Sequence, residues 1–248
     1  MKIQPARFVS DTLDVNLDDS KYAVARMDWM PAMQRMRKLA MTSKTEEVWA
    51  YLPDQKFDWV ELGIKAVPIK VETQPDGPPN VQVSIAYDEA RLQNIFKENN
   101  YAALFHIHPT DSIRQIMKAT PHANEETFQN NMEANALPSG ADLAGMVKYS
   151  LQFAAEHPGK ILKFGLVSEM GVTIFELTPE GIKQYHDGDD SFLEFGMNLV
   201  VEGAIQQARK MENLPTKYAP QIAHIQKACA LMTNMGNFKI RFIPFVKK

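Results

Sequence analysis

Along the chain, short stretches with a two-residue apolar period alternate with stretches whose apolar residues recur every three or four positions. The polar opening 1–21, acidic toward its end in "DTLDVNLDDS", predicts an arm, and "YAVARM" after it a short strand. Asp28 and Pro31 read as a helix start, with Met33, Met36, Arg37 and Met41 near helical spacing in "AMQRMRKLAM". A methionine stripe of this kind is read as core packing, since Met fills gaps readily. "EEVWAYL", "VELGIKAVPIKV" and "VQVSIAY" predict strands, with a turn at "TQPDGPPN". "DEARLQNIFKENN" predicts a helix and "YAALFHIH" a buried strand.

From residue 110 the regularity breaks. A polar stretch to about 137 holds two short helical patterns, "SIRQIMKA" and "NEETFQNNMEANA", with Pro121 between them. "SGADLAGMVKYSLQFAAEH" then predicts a strong helix, and "KFGLVS" and "VTIFEL" a strand pair around Met170 and Gly171. "FLEFGMNLVVEGAIQQARKMEN" and "APQIAHIQKACALMTN" predict an antiparallel helix pair, and "FKIRFIPFV" a closing strand. The expected class is α/β of the mixed α+β kind, a central mostly antiparallel or mixed sheet flanked by helices. The pattern sets an arm at 1–21 apart from the strands and helices that follow it, and the part at 181–248 reads as a C-terminal helical extension with a terminal strand.

Composition narrows the chemistry. With 248 residues, 45% of them hydrophobic, the chain can build a substantial core. The formal net charge of −3 and the scattered Lys and Arg give no reason to expect nucleic acid or an anionic membrane as partner. No apolar stretch approaches the roughly 20 residues of a spanning helix, and the polar start lacks the apolar segment of a secretory signal. The expectation is a soluble, cytoplasmic protein. The lone cysteine, Cys229, forms no intramolecular disulfide and supplies no cysteine-rich zinc cluster, so a transition metal would need nitrogen and oxygen ligands.

His106 and His108 stand two apart on a strand, so both imidazoles face one side and can share an ion. A catalytic zinc usually has three protein ligands and an open position. Candidates for the rest are Asp142 on the first turn of the strong helix, Ser139 three residues before it, and Glu46 and Glu47 at the head of "EEVWAYL". Each has a plainer reading. Ser139 and Asp142 match a capping box, a role compatible with metal binding. Only one of the adjacent glutamates can face the site. His122 with Glu125 and Glu126 reads as a solvated cluster, and His157, His186 and His224 as surface or helix-end histidines.

Glu47 before "VWAYL", "HIHP" at a strand end and "PSGAD" opening a helix together resemble the JAMM signature, E…H-x-H-P…S-x-x-D, of the MPN-domain zinc metalloproteases. The order of strands and helices resembles that fold over 22–180. The resemblance implies a cytidine-deaminase-like core in which His106, His108 and Asp142 hold Zn2+. It makes Glu47 general acid and base and Ser139 an oxyanion stabiliser. It also implies hydrolysis of a peptide or isopeptide bond by a zinc-activated water, with a protein substrate such as a ubiquitin-like chain.

The chain departs from that pattern at 110–138, where typical members have only a handful of residues. A segment that leaves one ligand and returns to another should overhang the site as a lid, a substrate flap or a plug. The rival readings are a catalytically silent MPN-type scaffold for protein partners and an unrelated hydrolase that shares only H-x-H. The helices at 192–213 and 219–234 offer surfaces for a homodimer.

Overall fold

A computed structural model describes residues 25–44, 46–52, 58–61, 65–66, 70–72, 80–82, 85–86, 89–98, 103–186, 193–210 and 220–245. The predicted arm at 1–21 lies outside the described residues. The first element is helix α1 (Ala25–Thr42), so the end of "YAVARM" is helical where a strand was expected, and Pro31 falls inside the helix and not in its first turn. Ala, Arg and Met are strong helix formers, and they join Ala25, Arg26 and Met27 to the methionine-rich run that follows.

Among the described residues six strands make the main sheet: β1 (Val48–Leu52), β2 (Asp58–Glu61), β7 (Ala103–Ile107), β8 (Lys163–Val167), β9 (Gly171–Leu177) and β10 (Phe238–Pro244), in the order β10-β9-β8-β7-β1-β2. The pairing is mixed, with β7 and β8 parallel and the other neighbours antiparallel. Two small antiparallel ladders join β3 (Lys65–Ala66) to β6 (Ile85–Ala86) and β4 (Lys70–Glu72) to β5 (Asn80–Gln82). The expected strand pair around Met170 and Gly171 is β8–β9.

Side-chain alternation splits the core into two layers. Val48, Ala50 and Leu104 face helices α2 (Glu89–Glu98), α5 (Gly140–Glu156), α7 (Leu193–Arg209) and α8 (Pro220–Thr233). Trp49, Phe105 and Ile107 face the other way, onto Met36 and Ala40 of α1. Burying a side chain such as Phe105 is worth about 1.5–3 kcal/mol before any packing contribution.

The segment expected as a C-terminal extension is integral to this core. β10 pairs with β9 along its length, and Ile205, Ala208, Ile225 and Met232 of α7 and α8 belong to the same apolar cluster as Leu143 and Met146 of α5. The short helix α6 (Pro179–His186) precedes them. Phe195 and Leu199, one turn apart on α7, remain exposed. Among the described residues no helix is long and apolar enough to cross a membrane.

A parallel pair such as β7/β8 needs a crossover connection, and the 110–138 segment lies in it. The segment forms α3 (Thr110–Ala119) and α4 (Glu125–Asn135), a helical hairpin. α4 starts at a capping box of Asn124 with Thr127 and docks on the C-terminal helices through Glu133. That buried carboxylate accepts from Arg209 Nε at 2.6 Å and pairs with His224 Nδ1 at 2.7 Å.

Candidate metal centre

The site forms where β7 ends and the crossover returns as α5. Crevices at the carboxyl ends of strands are the usual binding places of open α/β sheets. His106 is buried near the end of β7 and His108 follows it two residues on, so the pleat turns both rings to the α5 face. Their Nε2 atoms lie 3.1 Å apart.

Asp142 comes from the first turn of α5. Its Oδ2 accepts from the Ser139 backbone N–H at 2.7 Å and from Ser139 Oγ at 2.8 Å, while Ser139 Oγ accepts from the Asp142 N–H at 3.1 Å. The capping box and the cluster therefore coexist. Oδ1 is turned to His106 Nε2 at 3.1 Å, and His108 Nε2 lies 3.5 Å from Oδ2. Gly140 sits against α7, donating its N–H to Asn198 Oδ1 at 2.9 Å, and a Cβ there would collide with Asn198 and the Glu194 carbonyl. The third helix of the core thus holds the start of α5 in place.

One atom from each of His106, His108 and Asp142 lies within 4.8 Å of the others, close enough to hold one metal ion. Ligands about 2.0–2.1 Å from a tetrahedral zinc stand about 3.3 Å from one another, and the 3.1 Å separations of His106 Nε2 from His108 Nε2 and from Asp142 Oδ1 are close to that spacing. Among the described residues it is the one such group. His122, Glu125 and Glu126 are exposed and do not form a second.

The sheet register decides between the two glutamates. Val48 stands opposite His106 and Trp49 opposite Phe105. Continued outward, this sets Glu46 opposite His108 and Glu47 opposite Ile107, whose N–H donates to the Glu47 carbonyl at 3.0 Å. Directly paired residues share a face. Glu46, not the expected Glu47, therefore joins the histidines, with Oε1 3.9 Å from His108 Nε2. Glu47 belongs to the phase of Trp49, on the α1 side of the sheet.

Charge is arranged accordingly. Burial disfavours the charged form of Asp142, but His106 and His108 overcome it and hold the carboxyl well below the usual carboxylate range. Burial likewise opposes charge on His108, yet the hydrogen bond and charge of Asp142, the charge of Glu46 and the Asn135 carbonyl bring its pKa up to about 9. Glu46 is pushed up, chiefly by burial, with His108 and His106 pulling back and Asp142 pushing further.

His224 proves to be the partner of a buried carboxylate, and His157 bonds the Phe96 carbonyl and packs on Phe153. Cys229 is buried, and burial pushes its thiol far up, away from reactivity. Two contributors had no signal in the sequence: Asn198, and Asn135, whose contact with His108 spans the whole α3–α4 hairpin. Comparison of the chain with protein-family models, curated proteins and solved structures finds no match.

Proposed function

We propose that the chain is a zinc-dependent metallopeptidase of JAMM type, hydrolysing a peptide bond or an isopeptide bond to a ubiquitin-like protein. The observation that carries this reading is the convergence of His106, His108 and Asp142 from two elements, close enough to hold one metal ion, with the carboxylate of Glu46 beside them. Two imidazoles and one carboxylate suit zinc, whose catalytic sites use such sets and leave a position open.

When bound, the ion supplies Lewis acidity and a nucleophilic water at neutral pH. His106 and His108 would hold it through Nε2 and Asp142 through its carboxylate, whose Oδ2 accepts from Ser139. Glu46 takes the proton of the attacking water at its carboxylate and returns it to the leaving nitrogen. In the metal-free protein burial raises the Glu46 pKa, and a cation bound beside it would pull it back toward the carboxylate range, leaving the carboxylate free to accept a proton. Ser139 Oγ donates to Asp142, so donating to the substrate oxygen requires its hydroxyl to rotate.

The test combines elemental analysis with a scan of fluorogenic peptide and ubiquitin-like substrates. Purified protein should carry about one zinc per chain. Glu46→Gln should keep the metal and lose cleavage, while Glu47→Gln keeps both. The scaffold reading takes over if the wild type holds zinc yet cuts nothing in the scan. A chain that cannot be loaded with zinc at all would end the metal reading.

A further inference from the structure

We propose that Asn135 is a positioning residue for His108, which makes the inserted hairpin part of the machinery that holds the ion and not a cover laid over it. This rests on the metal reading above. Asn135 is the last residue of α4, and it grips His108 twice in opposite senses. Its backbone carbonyl lies 3.0 Å from His108 Nδ1, and its side-chain Nδ2 donates to the His108 carbonyl at 3.2 Å.

The chemistry of the first contact is unambiguous in direction. A carbonyl oxygen only accepts, so the proton sits on His108 Nδ1, and in the neutral ring the lone pair is then on Nε2, the atom that faces His106 and Asp142. A hydrogen bond at the far nitrogen is the usual means by which a protein sets the tautomer and tilt of a metal-binding histidine. The second contact, together with the His108 N–H donated to the Val167 carbonyl at 2.9 Å, fixes the backbone from which the ring projects.

The Asn135 carbonyl is available because the last carbonyls of a helix have no partner within it. At the end of α4, those of Glu133 and Ala134 are taken by the N–H groups of Ala136 and Leu137, and that of Ala136 accepts from Thr173 Oγ1. The Asn135 carbonyl meets the imidazole. The helix end cannot drift, because two residues earlier Glu133 is buried against Arg209 and His224, and just after it Thr173 ties the turn to β9.

The experiment compares Asn135→Ala with Asn131→Ala, which removes a contact one turn earlier, from Asn131 Nδ2 to Met117 Sδ, without touching His108. Zinc affinity is read by chelator competition, ligand geometry by the visible spectrum of the cobalt form, and folding by thermal melting of the metal-free proteins. Asn135→Ala should weaken zinc about tenfold, the lower end of the range for losing an outer partner of a ligand, since the backbone carbonyl remains. Its cobalt spectrum should change, while Asn131→Ala matches wild type in both and the metal-free proteins melt alike. Unchanged zinc affinity and cobalt spectrum in Asn135→Ala would overturn the proposal. So would an equal loss in Asn131→Ala, or a metal-free Asn135→Ala that no longer folds, because either makes the hairpin a structural support only. A wild type that takes up neither zinc nor cobalt removes the metal reading and this proposal together.

Discussion

At the scale of single residues, the site is a balance of protons that a cation would displace. Without metal, His108 carries a proton up to about pH 9, held by Asp142, Glu46 and Asn135. Zinc needs the neutral ring, so loading near pH 7 should release a proton from His108, and apparent affinity should rise up to about tenfold per pH unit until about pH 9. Calorimetry in buffers of different ionisation enthalpy measures this, and zinc binding without proton release would contradict the His108 environment. The same shifts set the stability of the metal-free protein. The raised His108 pKa contributes fully below its ordinary 6.5 and is lost as pH rises through about 9. The depressed Asp142 contributes above its ordinary 3.8 and is lost as pH falls through its lowered value. Melting temperature of the zinc-free protein should therefore fall between pH 6.5 and 9, and Asp142→Asn should flatten that fall.

At the scale of elements, strand β7 does two jobs whose requirements differ. Its α5 face presents His106, while its α1 face packs Phe105 directly over Gly165 of β8, its partner in the parallel ladder. A Cβ at Gly165 would meet that ring at 2.1 Å. Gly165→Ala should therefore overpack the sheet and cost about 1–3 kcal/mol, lowering the melting temperature by about 2–4 °C for each kcal/mol. A wild-type melting curve would show that the ring relaxes freely. The start of α5 offers a milder case. Ser139→Ala removes a helix cap worth about 1 kcal/mol and one of the two hydrogen bonds to Asp142 Oδ2, the backbone N–H keeping the other, so it should lower both stability and zinc affinity.

For the whole molecule, the chain order of parts is misleading about which of them fold together. β10 closes one side of the sheet, and α7 and α8 complete the apolar layer under α5, so a chain cut after residue 180 would expose that layer. Such a truncation should be insoluble or molten, as judged by circular dichroism and protease resistance; a stable, cooperatively melting 22–180 fragment would refute this. The α3–α4 hairpin is joined to the same helices by Glu133. Arg209→Met leaves that buried carboxylate with His224 alone, and the expected loss is at the low end of the ~3–5 kcal/mol typical when one partner of a buried pair is removed.

Local patterning was enough to read most helices and strands, because an amphipathic period of two or of three to four survives in any context that buries one face. It also marked His106, His108 and Asp142, since residues two apart on a strand must share a side and a helix start gathers acidic and hydroxyl groups. It could not choose Glu46 over Glu47, because their order along the chain is silent on phase; the pairing of Val48 with His106 chose. Nor could it foresee that Ala25, Arg26 and Met27 at the end of "YAVARM" would be helical, that β10 would pair with β9 in the sheet, or that Asn135 would return to His108. Those outcomes depend on contacts between residues far apart in sequence, whose energies exist only once the sheet and its helices have packed.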